Sequence, residues 1–269
     1  MTSLHNPETE EEWRSMLLGE WAPLRSLRKR MRLLPSEPRC KLCAAPFHGI
    51  GGAIVRHMGF GRWEGNPSLC RACFTGWEKQ GLGGAEVPVS LLFADIRGST
   101  GLAERLGPSA FKRLIDTFYR LSSKAIFDNG GLVDKFVGDE AVALFIPAIA
   151  GANHAAPAIA AGRALLEAVG ARNASPAGPI PVGTAVHTGE SYVGIVGQAG
   201  SAWDFTALGD PVNTAARLAS EAKAGELLVS VDAAAAAGLE TSALPRRTVD
   251  VRGRTESIDV ISLKTVGAA

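Results

Sequence analysis

The four cysteines of this chain fall into two pairs, CKLC at 40–43 and CRAC at 70–73. Two C-x2-C knuckles can bring four thiolates to one tetrahedral centre, so the residues between them must close into a loop. A segment closed in this way needs little apolar burial, because the bound ion takes the place of a core. Cys40, Cys43, Cys70 and Cys73 are therefore expected to hold metal, zinc in the first instance. An iron–sulfur cluster uses the same four thiolates and stays open as an alternative. His48 and His57 lie inside the loop and read as ordinary loop residues, since four thiolates complete the shell. The loop lacks the recognition-helix layout of a ββα finger, and a net charge of +1 argues against a general nucleic-acid binder.

The rest of the chain is patterned differently. Thr9 followed by Glu12 has the form of a capping box, and apolar residues then recur at helical steps over 9–34 (Trp13, Leu17, Leu24, Leu27, Met31, Leu34). Pro23 is expected to kink or split that run and Pro35 to end it. Packing or dimerisation suits this helical stretch. A lipid-surface role for its basic cluster, RSLRKRMR at 25–32, is disfavoured by the Glu-rich first half. Residues 36–80 lose periodicity, and GLGGAEVP at 81–88 reads as a glycine-rich link. An α/β pattern follows: strand VSLLFADI, a helix over 101–129, and a hairpin LVDKFVGDEAVALF at 132–145 with its turn at Gly138–Asp139. An Ala-rich helix over 153–170 leads to VGTAVHTGESYVGIVG, read as a second hairpin turning at TGES. A helix over 211–222, strand ELLVS, the helical VDAAAAAG and strands RRTVDVRG and SIDVIS complete the chain. Helices alternating with antiparallel hairpins predict an α+β fold whose mostly antiparallel sheet is flanked by helices.

The organisation expected is thus an N-terminal helix at 1–35, a four-cysteine module with linker at 36–86, and a larger domain at 87–269. Apolar content of 46% against 20% charged residues suits a globular protein with a real core. The longest apolar run, AVALFIPAIAG, is short and contains proline, so no membrane span is expected. The acidic, polar start predicts no signal peptide and a cytoplasmic location. In that reducing compartment, thiolates serve as ligands more readily than as disulfides.

Chemistry concentrates at three places. Asp95 lies at the end of an apolar strand; after Ile96 and Arg97 come the small residues Gly98, Ser99 and Thr100, which open a helix. A carboxylate can hold a cation there, and the free amides around Gly98, Ser99 and Thr100 can meet phosphate oxygens. The hairpin tip supplies a second acid, Asp139, close to Lys135 and Glu140. Two carboxylates side by side repel and call for a divalent ion. In LGDPVNTAARLASEA, Asp210 is placed to cap a helix and Pro211 to begin it, with Asn213 and Arg217 one turn apart on one face. The bland alternative pairs Arg217 with Glu221 on the surface.

FADIRGST, DKFVGDEAVALF, VHTGESYVGIVG and FTALGDPVNTAARL, in this order and spacing, resemble the catalytic domain of the class III nucleotidyl cyclases. The likeness covers about 87–263. It implies that Asp95, Asp139 and the carbonyl of Ile96 hold two Mg2+ or Mn2+ ions. By the same resemblance Lys135 reads the base, Asn213 orients the ribose, Arg217 stabilises the transition state, and Arg252 meets the terminal phosphates. Such domains dimerise head to tail, so a homodimer is expected, with Lys135 and Asp139 of one hairpin serving different sites. Thr206 stands where many adenylate cyclases carry aspartate. Its hydroxyl can accept the adenine amino group but also donates, so it discriminates less sharply. Ser99 replaces a usual aromatic, and His187 is given no catalytic role. The expected activity is conversion of ATP to cyclic AMP and pyrophosphate. A guanylate cyclase is the alternative, and a nonenzymatic nucleotide-sensing scaffold the reading from another class.

Overall fold

A computed structural model describes residues 9–64, 66–78, 83–173, 180–197, 203–249 and 257–264. Helix α1 (Glu10–Leu18) starts as the capping box requires: the Thr9 hydroxyl accepts a hydrogen bond from the Glu12 amide at 3.2 Å. Gly19, at φ +80°, closes it in the left-handed conformation. The helical run is therefore split, and α2 (Ala22–Arg32) begins again with Pro23 in its first turn. Two short helices, α3 (Gly49–Arg56) and α4 (Arg71–Glu78), lie in the segment that showed no periodicity.

Strand β1 (Gly83–Ile96) begins well before VSLLFADI, so most of the stretch read as a link is strand. Its glycines serve a close backbone approach: a Cβ on Gly84 would stand 2.4 Å from the Val193 carbonyl oxygen. The single helix expected over 101–129 is two helices, α5 (Ser99–Leu106) and α6 (Pro108–Asp128), because Gly107 breaks the turn at φ +74° and Pro108 restarts it. The hairpin forms as expected from β2 (Leu132–Val137) and β3 (Glu140–Phe145), with Val137 paired to Glu140 across a two-residue turn. After α7 (Pro147–Ala150) and the Ala-rich α8 (Ala155–Asn173) comes the clearest departure from expectation. β4 (Val182–Gly197) runs straight through TGES without turning, and its antiparallel partner is β5 (Trp203–Leu208). The chain ends in α9 (Asp210–Glu221), β6 (Glu226–Ser230), α10 (Val231–Ala237), β7 (Arg246–Val249) and β8 (Ile258–Lys264).

The strands form one sheet in the order β2-β3-β1-β4-β6-β8-β7, with β5 beside β4. β4 and β6 run parallel, while the β1–β3, β2–β3, β4–β5, β6–β8 and β7–β8 pairs are antiparallel. The α+β architecture and mostly antiparallel sheet expected from the sequence are what the fold has.

Two compact units divide the chain. One comprises Met1–Val87, Ile146–Ala152 and Ser191–Leu208; its N-terminal helices bury Trp13, Met16, Leu17, Leu24 and Met31. The other comprises Pro88–Phe145, Asn153–Glu190 and Gly209–Ala269 and holds the larger core, which includes Leu91, Leu92, Phe118, Phe145, Leu165 and Leu227. Among the described residues no helix is long and apolar enough to cross a membrane.

Candidate functional site

The larger unit gathers carboxylates at one sheet edge. Register places Asp95 opposite Glu140 on β3, and the Ile96 amide donates to the Asp139 carbonyl at 3.2 Å. The turn is also fixed from outside: the Tyr119 hydroxyl donates to the Gly138 carbonyl at 2.6 Å, and its ring stacks on Phe136 with centroids 4.0 Å apart. Asp95, Ile96 and Asp139 are thereby brought together by backbone geometry.

Sequence reasoning missed the cation at this edge. The Arg97 guanidinium contacts the Asp95 carboxylate and donates to the Ser220 carbonyl at 2.6 Å, while its backbone amide donates to the Pro181 carbonyl at 2.6 Å. Burial lowers the Arg97 pKa, against the pull of Asp139, Glu140 and Glu221. Burial likewise raises Glu140, helped by Asp139 and opposed by Arg97. The available signal was the position of Arg97 two residues after Asp95 and of Glu140 directly after Asp139. Asp95, Asp139 and Glu140 share this one guanidinium, which leaves excess negative charge on hard oxygen donors. That donor set fits Mg2+ or Mn2+. Gly98, at φ +65°, stands immediately before α5, and no side chain caps the helix start that carries Ser99 and Thr100.

α9 presents the second set. Gly209 occupies the N-cap position and Asp210 the first helical position, a shift of one residue from expectation. Thr214, Ala215, Leu218 and Ala219 are buried, whereas Asn213 is exposed and Arg217 half-buried. Among the described residues neither of these two side chains has a hydrogen-bond or ion-pair partner, so the Arg217–Glu221 pairing does not form. Gly189 of the TGES stretch lets α9 approach β4: a Cβ there would stand 2.7 Å from Pro211 Cγ. At the other end of α9, Arg97 takes the Ser220 carbonyl. Asn213 lies about 10 Å along the helix axis from Ser220, at 1.5 Å of rise per residue. The acidic edge therefore sits against the end of α9 remote from Asn213.

Lys135 projects from β2 beside a bulge, 40% exposed, with its ammonium 3.7 Å from Asp134. Thr206 lies in the smaller unit on β5, buried and registered opposite Gly194. His187 is buried, and its Nδ1 lies 2.9 Å from the Ser230 hydroxyl that caps α10. Arg252 lies outside the described residues.

The four cysteines converge as expected. All are buried, and their sulfurs lie within 4.8 Å of one another. Cys40 and Cys73 are 4.0 Å apart and Cys43 and Cys70 3.6 Å. Four sulfurs on one tetrahedral ion at about 2.3 Å stand roughly 3.8 Å apart, so the set fits a single ion. The Cys70 amide donates to Cys40 Sγ at 3.3 Å and the Cys73 amide to Cys70 Sγ at 3.4 Å, bonds that suit thiolates. Burial opposes charge on Cys40, but bonds from Cys43, Cys70 and Cys73 together hold its pKa well down. Hydrogen bonding to Cys40, with burial, raises Cys43 and Cys73. Without a cation, the Cys40 thiolate suppresses ionisation of Cys43 and Cys73.

A sheet edge lined with acids, an amide-rich helix start and a helix bearing Asn and Arg define a nucleotidyl cyclase catalytic domain. The chain belongs to that family: residues 85–263 match the model of the adenylate and guanylate cyclase catalytic domain. An uncharacterized protein of Mycobacterium tuberculosis, Rv1318c, is 34% identical over 190 residues, 67% of this chain and 33% of its own length. An adenylate cyclase of Anabaena cylindrica is 29% identical over 187 residues, covering 65% and 36%. The chain thus spans about a third of the length of the curated relatives it matches. Among solved structures, the guanylyl cyclase Cya2 aligns at TM-score 0.61 and 26% identity, over 69% of this chain and 95% of that one. The adenylyl cyclase CyaB from P. aeruginosa aligns at 0.59 and 28%, over 67% and 95%.

Proposed function

We propose that the chain is an adenylate cyclase whose site is shared by two copies of itself, forming 3′,5′-cyclic AMP and pyrophosphate from ATP. The carrying observation is the separation within one chain. The acidic edge at Asp95 and Asp139 meets the Ser220 end of α9, whereas Asn213 stands further along that helix with its amide unpartnered among the described residues. A head-to-tail second copy supplies the missing half of each site.

Asp95, Asp139 and the Ile96 carbonyl would hold two divalent ions, which when bound acidify the ribose 3′-hydroxyl and offset triphosphate charge. The chain's own groups do the rest. Asn213 hydrogen-bonds the ribose and holds its 3′-oxygen in line with the α-phosphorus. Bond formation there breaks the bond between the α-phosphorus and the oxygen bridging to the β-phosphate; the electron pair leaves with pyrophosphate and the 3′-hydroxyl proton passes to water. Arg217 places positive charge on the α-phosphate oxygens as their charge grows, a contribution of about 3–4 kcal/mol per donor. Amides at Gly98, Ser99 and Thr100 receive phosphate oxygens, and Arg252 meets the terminal phosphates. Lys135 and Thr206 read the adenine.

Kinship with the Anabaena and P. aeruginosa enzymes supports ATP. Likeness to the guanylyl cyclase Cya2 keeps GTP as the second reading. For the cysteine centre we infer zinc. Sulfur separations of 3.6 and 4.0 Å suit one ion, whereas several bridged irons spread their cysteines wider.

The test is incubation of the purified chain with Mn2+ and either ATP or GTP, followed by separation of products. Asp95→Ala and Arg217→Ala should each lose activity by about 10²-fold or more. Mixing the two inactive variants should restore part of it, because one site of each mixed dimer is intact. A mixture that stays dead, or an active single variant, refutes the shared site.

A further inference from the structure

A cavity of about 630 Å3 opens in the larger unit beyond the C-terminal end of α9, among α8, β6, β7 and β8. None of the residues assigned to cyclase chemistry lines it. Its floor is apolar: Leu166, Leu227 and Leu263 are all buried. Its rim is cationic. Arg163 on α8, Lys223 in the loop after α9 and Lys264 on β8 reach it, and among the described residues none has an ion-pair partner. One rim carboxylate, Glu167, stands against these three.

Glu226, 4% exposed, also borders the cavity, and it is already satisfied. It accepts from the Ser262 hydroxyl at 2.5 Å and the Lys223 amide at 2.8 Å, and it pairs with Arg247 at 3.3 Å. The rim cations are therefore surplus to the local charge balance. Three like charges around one concave apolar surface repel unless an anion joins them. Pockets of this size, apolar with a few convergent polar groups, suit small ligands.

We propose that this cavity binds a small amphipathic anion, a carboxylate head on an apolar body, with Lys223, Lys264 and Arg163 at the head and the three leucines along the body. The site touches the machinery at one point. Arg247 donates to the carbonyl of Glu221, the last residue of α9, at 2.9 Å, and Lys223 follows two residues later. An occupant held by Lys223 tightens the end of the helix that carries Asn213 and Arg217.

Isothermal titration of the full chain with octanoate tests this, with octanol and octylamine as neutral and cationic counterparts. Octanoate should saturate one site per chain, and the other two should bind about tenfold more weakly or worse. The exposed double variant Lys223→Gln/Lys264→Gln should weaken octanoate about tenfold while leaving the fold intact. Bound octanoate should slow amide exchange over 210–226. No saturable binding up to about 10 mM, equal binding of all three probes, or an unaffected double variant overturns the site. Binding that leaves exchange over 210–226 unmoved overturns the coupling to α9.

Discussion

In the cysteine segment Ile50, Ile54 and Met58 are 76%, 51% and 65% exposed, whereas along β1 every residue from Val89 to Ala94 is buried. The first stretch leaves these three side chains in water and buries only a few others, Leu42, Phe47, Val55 and Leu69, around its four sulfurs. The second is buried throughout, with Gly162 of α8 set close against Leu92. The difference is one of cohesion. Metal ligation is strong, local and conditional on a cation, while apolar burial is weak per contact, collective and always present. With the proposed ion at the cysteines, one chain carries a part that can be loosened by chemistry and a part that cannot.

The largest effect that would break this contrast is removal of the zinc proposed for the four cysteines. Chelation, or Cys40→Ser, should remove most amide protection over 39–76 and spare the sheet, since structural zinc is worth about 10 kcal/mol or more. Hydrogen exchange mapped along the chain checks it; equal loss in both regions would show that the two are not independently held. Next in size, Leu92→Ala, at a position 1% exposed, should cost about 2–5 kcal/mol in denaturant unfolding and leave the metal content unchanged.

A smaller, pH-dependent effect belongs to the sheet side. His154 is buried, with Nδ1 2.8 Å from the Ser90 hydroxyl, and burial lowers its pKa. The native state then binds fewer protons than the unfolded chain. Stability is full above about pH 6.5 and falls as pH drops toward the lowered value. His154→Gln should flatten that slope in midpoints measured from pH 7.5 to 5. The smallest effect is Ile54→Ser, expected within about 0.5 kcal/mol because the side chain already faces water. A larger loss would show that the exposed residues of the cysteine segment do pack.

Much of this was legible in the chain, for identifiable reasons. The hairpin was readable because Gly138 and Asp139 interrupt two apolar runs, and a turn of that length leaves few alternatives. The Thr9–Glu12 cap and strand 226–230 were likewise local signals that tertiary contacts did not override. TGES misled because glycine beside polar residues reads as a turn, while Gly189 is needed for the approach of Pro211, distant in sequence. The glycine-rich link failed in the same way, since Gly84 answers to β4. Gly107–Pro108 was a breaker visible in the sequence and passed over. Arg97 was given no role because its meaning lies in Ser220 and Pro181, which only folding brings to it.

The Asp139 carbonyl is tied to the Ile96 amide, and the turn that presents this acid is two residues long. Such a tip tolerates exchange of side chains far better than any change in their count, because one added residue would carry the carboxylate to the opposite face of the ladder. Variants that retune this edge should therefore arise by substitution, while insertions collect at other loops. Anyone grafting a longer loop here would be moving the acid itself.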